Sequence, residues 1–130
     1  MKEKSNEATA NRPEGGRPID SSLLLINLPA LAQQIKAEDA WSKKDRNAIT
    51  VFKTTGMNIV LIALHANAAM KTHTATGIIS VQVLEGTIQF TTVNEYIEIT
   101  KGQLVTLHAS IPHSVLAIEE SSFLLTISAV

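Results

Sequence analysis

The side chains of this sequence best suited to chemistry are four histidines, His65, His73, His108 and His113. A neutral imidazole offers one lone pair to a metal or to a hydrogen-bond donor, and it exchanges a proton near neutral pH. No cysteine accompanies them, which removes disulfides and thiolate metal sites. The chain carries no phosphate-binding glycine loop, dinucleotide fingerprint or nucleophile motif. Acid–base catalysis would need a carboxylate or a tuned histidine. Glu95 and Glu98 fall in a half-exposed hairpin pattern, where they serve solubility. The chemistry of the chain therefore rests on imidazoles.

The totals bound what those imidazoles can serve. The chain has 130 residues, the length of one domain, and 45% of them are hydrophobic, enough for a core. Eleven Lys and Arg against 12 Asp and Glu leave a net charge of -1. That balance provides no basic face to neutralise phosphates, so no nucleic-acid partner is expected. Nor is there a polybasic membrane patch. The longest apolar runs, such as Ile59 to Leu64, are too short to cross a bilayer. Lys2 and Lys4 are not followed by the hydrophobic stretch of a signal peptide. A soluble, cytoplasmic protein is expected.

The histidines must be positioned by what surrounds them. Residues 1–22 are polar and include Arg12-Pro13-Glu14-Gly15-Gly16-Arg17-Pro18, which suits neither helix nor strand; a disordered arm is expected, with the domain spanning 23–130. Leu23 to Ile26 is a short apolar run that reads either as an edge strand or as part of a subunit contact. Asn27 is a candidate N-cap and Pro29 suits a first helical turn. Leu28, Leu31, Ala32 and Ile35 then recur at helical spacing, predicting a short amphipathic helix, after which Trp41 anchors the chain. From Ala48 the pattern turns to strands. Asn58 to Leu64 is apolar on both faces, so both must be covered, one by the core and the other by the helix or a second subunit. Asn67 to Gly77 reads as a connection. Beyond it Ile78–Leu84, Thr87–Val93, Tyr96–Thr100, Gln103–Leu107, Ser114–Ile118 and Ser122–Ser128 read as strands separated by turn residues. About eight short strands at regular spacing predict an all-β antiparallel sandwich or barrel.

Two stretches in this strand series resemble the paired motifs of the cupin superfamily, whose fold is a small jelly-roll barrel. The first motif has two histidines one residue apart, then a glutamate and a closing glycine. Here His73 takes the first histidine position, Ala75 the second, Ile79 the glutamate and Gly86 the glycine. In the second motif Gly102 and His113 match, while His108 replaces a proline, Ser110 a glycine and Ala117 an asparagine. The run His73-Thr74-Ala75-Thr76-Gly77 is similar to a subgroup of small bacterial cupins with a reduced histidine set. Trp41, Arg46 and the preceding helix fit that subgroup too, so the resemblance covers Leu28 to the C-terminus.

The resemblance implies an antiparallel jelly-roll β-barrel with a short N-terminal helix. It implies that His73 and His113 enter one cavity from neighbouring strands, lined by Ile79, Val81, Val83, Phe90 and Leu107. In the family the motif side chains hold a divalent metal, so the resemblance implies zinc, nickel, manganese or iron here; neutral imidazole itself suits zinc, nickel, copper or iron. Two histidines fall short of the three protein ligands usual at catalytic zinc. His108 is the expected third donor, with His65 and Gln82 behind it; strand alternation turns Gln82 away from the cavity. Two functions follow. The chain binds a divalent metal and a small-molecule ligand through His73, His113 and His108, or it is a metal-free ligand-binding or sensor module without catalysis. A homodimer is expected from the doubly apolar strand and from Leu23 to Ile26.

Overall fold

The computed structural model describes residues 4–5 and 17–128. They form β1 (Lys4–Ser5), β2 (Pro18–Asp20), α1 (Leu28–Ala37), α2 (Asp39–Lys43), β3 (Arg46–Thr54), β4 (Met57–Leu64), β5 (Ala69–His73), β6 (Ile78–Glu85), β7 (Thr87–Thr92), β8 (Tyr96–Thr100), β9 (Leu104–Leu107), β10 (His113–Ala117) and β11 (Ser121–Ser128). Five strands make one sheet in the order β3-β4-β11-β6-β9, and four make a second in the order β5-β10-β7-β8. Every pairing is antiparallel. The two sheets close over one core containing Ile62, Leu64, Val83, Ile88, Phe90 and Phe123. This is the expected all-β jelly roll, with its short helices ahead of the barrel strands.

Alternation explains how each strand takes its place. Ile88 and Phe90 of β7 turn inward while Thr87, Gln89 and Thr91 stay partly exposed. β4 is covered on both faces. Ile62 and Leu64 join the inter-sheet core, and Leu61 and Ala63 lie beneath Ile35, Leu31 and Leu28 of α1. The helix is the outer cover. It starts where the Asn27 side chain accepts a hydrogen bond from the Ala30 N–H at 3.1 Å. Its C-terminal end is held by buried Asn47, whose amide donates to the Ile35 carbonyl and to Glu38 at 3.0 and 2.9 Å.

Three segments differ from the sequence-based expectation. Asn67 to Gly77 is not merely a connection, because it contains β5. Ala69-Met70-Lys71-Thr72-His73 has no apolar alternation, being an edge strand mostly exposed on both faces, so its pairing with β10 defines it. Leu23 to Ile26 is not a strand of either sheet. The arm expected over 1–22 lies largely outside the described residues; within its described part, Pro18–Asp20 forms β2 with Ile19 and Asp20 buried. No helix among the described residues is long and apolar enough to cross a membrane.

Candidate functional site

His73 ends β5 and His113 begins β10, and the two are direct partners in the antiparallel register. Their ring centroids are 4.3 Å apart with planes tilted by 59°. The pairing brings together two residues far apart in the chain. Phe90 of β7 also stacks on His113, with centroids 5.5 Å apart and planes at 13°. His113 is 4% exposed, whereas His73 is exposed at the rim.

The same local device fixes both rings. His73 Nδ1 lies 2.7 Å from the Lys71 carbonyl, and His113 Nδ1 lies 2.9 Å from the Ile111 carbonyl. A carbonyl oxygen only accepts, so each Nδ1 must carry the hydrogen and donate it. In the neutral ring the lone pair is then on Nε2. This is the tautomer that a metal ligand adopts when a backbone carbonyl orients it, and equally the one that accepts a hydrogen bond from a ligand.

The pair opens into a pocket of about 300 Å³. Thr74, Ala75 and Thr76 line it from the loop after β5, and Ile79, Leu125 and Ile127 from the five-stranded sheet. Among the described residues neither Lys, Arg, Asp nor Glu lines it. Cross-strand register explains the apolar wall: Ile127 pairs with Ile79 and Leu125 with Val81. A backbone bond from the Ser110 N–H to the Ala75 carbonyl, 2.8 Å, ties together the loops that carry the two motifs.

Structural neighbours place this arrangement. A cupin superfamily protein from Desulfitobacterium hafniense superposes with a TM-score of 0.69 at 13% identity, covering 86% of this chain and 95% of the other. A cupin-2 domain protein from Shewanella frigidimarina matches at a TM-score of 0.65 and 14% identity, covering 80% and 94%. The chain has the cupin fold. A conserved protein of unknown function from Streptococcus pyogenes shares this cupin architecture at 23% identity and a TM-score of 0.66, covering 86% and 91%. No protein-family model and no curated protein matches the sequence.

Within the cupin fold, the motif alignment can be tested against geometry. The four positions that align with the motif's metal donors, 73, 75, 79 and 113, all line the pocket. Two are imidazoles; the other two are Ala75 and Ile79. The motif glycine position Ser110 has φ 66°, and Gly86 and Gly102 have φ 85° and 86°, so the backbone bends of the pattern are kept. The scaffold is intact, while half the donor positions are apolar.

Some of the remaining expectations hold and others need correction. His108 is exposed and lies outside the pocket lining, so it supplies no third donor there. Among the described residues no three His, Cys, Asp or Glu side chains gather as a metal site. His65 is structural: its ring stacks on Trp41 at 3.6 Å and its Nε2 donates to the Trp41 carbonyl at 2.7 Å. Gln82 is exposed on the outer face, as alternation required. Val81, Val83 and Phe90 are packed core rather than pocket wall, and Leu107 lines a separate small cavity of about 80 Å³ with Phe90 and Ile97. The sequence reading missed Leu125 and Ile127. Their alternation with Phe123 was the available signal, but only strand register shows that they meet Ile79. A divalent metal would find two fitting donors and no carboxylate, so the residues present do not form a complete protein ligand set.

Proposed function

We propose that this protein binds a small organic molecule in the pocket between His73 and His113, and that it does so without a resident metal. One observation carries this reading: Ala75 and Ile79 occupy cavity-lining positions where the pattern has metal donors. A concave, mainly apolar site with a few fixed polar groups is the usual form of a small-molecule pocket. The test is a thermal-shift screen of small molecules on wild type, His73→Ala and His113→Ala. A ligand at about 100 times its Kd adds about 2.7 kcal/mol of stability, on the order of 10 °C for a domain of this size. Stabilisation that persists in both variants would reject the pocket.

The shared Nδ1-to-carbonyl arrangement favours a second reading. Here the two Nε2 atoms hold a zinc, nickel, manganese or iron ion whose other positions are filled by water or a bound molecule. Among the fold neighbours is oxalate decarboxylase of Bacillus subtilis, described with Mn(II) centres; it matches at 22% identity and a TM-score of 0.57, over 65% of this chain and 25% of that one. Metal analysis after purification without chelators separates the readings. A stoichiometric metal that is lost in both His→Ala variants and retained in His108→Ala would replace the first reading with the second.

The unit in which this pocket works is, we propose, a homodimer. Leu23 and Leu25 are 90% and 97% exposed, whereas Leu24 and Ile26 between and beside them are half-buried. That is the alternation of a strand, yet no backbone hydrogen bond holds Leu24, Leu25 or Ile26 among the described residues. A second copy supplies both the apolar cover and the missing strand neighbour.

A further inference from the structure

The pocket lining also restricts the class of its occupant. We infer that the pocket takes a neutral, hydroxyl-bearing molecule with a short aliphatic part, two of whose O–H groups donate to Nε2 of His73 and His113. This rests on the pocket reading above and adds the ligand's chemistry.

The argument begins with the committed Nδ1 atoms. Because both donate to backbone carbonyls, at 2.7 and 2.9 Å, the neutral pair presents two acceptors on rings whose centroids are 4.3 Å apart. Two neighbouring lone pairs call for donors, and adjacent hydroxyls on one molecule supply two. Charge then eliminates the alternatives. An anion would meet lone pairs on both imidazoles and find only the Thr74 and Thr76 hydroxyls as side-chain donors, and among the described residues neither lysine nor arginine lines the pocket to neutralise it. An ammonium could donate to the imidazoles, but among the described residues no carboxylate lines the pocket to balance its charge. A neutral hydroxyl carries neither penalty. Opposite the imidazoles, Ile79, Leu125 and Ile127 offer nothing polar, so the rest of the molecule on that side must be aliphatic. A volume of about 300 Å³ suits a compound the size of a substituted six-membered ring.

A matched set of probes tests this at pH 8, above the ordinary imidazole range. The set is cis-cyclohexane-1,2-diol, 2-hydroxycyclohexane-1-carboxylate and 2-aminocyclohexanol, which share a skeleton and differ in charge. Long-range proton–nitrogen spectra first read the tautomers, and both rings should show a protonated Nδ1. The diol should then shift the Nε2 resonances of His73 and His113 together, and bind at least tenfold more tightly than either charged analogue. His73→Phe, at the exposed rim position, should abolish diol binding while keeping the fold. Tighter binding of the carboxylate or the amine at the same resonances overturns the ligand class and leaves the pocket reading standing. An unprotonated Nδ1 on either ring overturns the class at its first step. If no probe moves these resonances, the class is again rejected, and the His73-dependent stabilisation screen separately decides the pocket.

Discussion

Ile79 and His113 line the pocket from opposite sheets, one on β6 and the other on β10. Ile79 stands at the family's glutamate position, so the cavity should regain a metal site if its donors are restored. The double substitution Ala75→His and Ile79→Glu should bind zinc or nickel where wild type binds neither strongly. Because Ile79 is 3% exposed, the metal-free double variant should lose roughly 2–5 kcal/mol. Added metal should recover several degrees of Tm. Melting curves with and without metal check this, and no recovery would mean that the four side chains do not converge.

Phe90 holds the His113 ring by stacking. Phe90→Leu leaves a small cavity and should cost roughly 1–3 kcal/mol, and it removes the stacking partner while the Nδ1 bond to Ile111 remains. Ligand affinity should fall more than stability does, and the His113 nitrogen signals should broaden. Equal affinity in the variant would show that the stack has no part in positioning His113.

The two motif glycines should respond unequally. Gly86 and Gly102 share φ near 85°, but a Cβ on Gly86 would lie 2.8 Å from the Ser121 Cα, whereas one on Gly102 would meet nothing within 4 Å. Gly102→Ala should cost roughly 1–2 kcal/mol, from the left-handed backbone alone. Gly86→Ala should cost clearly more, because β11 must also shift. Denaturant titration of both variants gives the order, and the reverse order would refute the account.

Asp45 provides a pH signature outside the pocket. Its carboxyl is held below the usual carboxylate range, first by its hydrogen bonds to Arg46, at 2.8 and 3.1 Å. A depressed carboxyl stabilises the fold at pH above the ordinary carboxylate value, and the contribution disappears as pH falls through the folded value. The group is exposed and the effect small. Wild type should be slightly more stable than Asp45→Asn at pH 7, and the difference should close as the pH falls below the ordinary carboxylate range and through the lowered folded value. A difference that grows on acidification would contradict the sign.

The exposed leucines predict an assembly that can be measured directly. Sedimentation at tens of micromolar should give a dimer for wild type and a monomer for Leu23→Asp with Leu25→Asp. A monomeric wild type ends the proposal.

Much of this was legible in the chain because local rules were strong. The outward and inward sets of β4, the Asn27 cap and the turn glycines each follow from one residue's geometry. The motif positions placed His73, Ala75, Ile79 and His113 around one cavity before any coordinates. Other features depend on register, which spacing alone does not contain. β5 has no apolar signature, and Leu125 and Ile127 reach the pocket only because β11 pairs with β6. His108 misled through its nearness to His113 in sequence. The chain crosses from the five-stranded to the four-stranded sheet between them, turning through the left-handed Ser110, and His108 is left outside.

Among the described residues β5 is an edge strand, paired with β10 alone, and the Arg46 guanidinium reaches its Ala69 carbonyl at 2.7 Å. One imidazole of the pair therefore rides on a lightly tethered margin of the barrel, the other in its interior. Breathing of that margin would part the rings, and the proposed guest, gripping both, would act as a clasp across the seam. Occupancy should thus be felt along the whole strand, slowing amide exchange from Met70 to His73 beyond the reach of the guest itself.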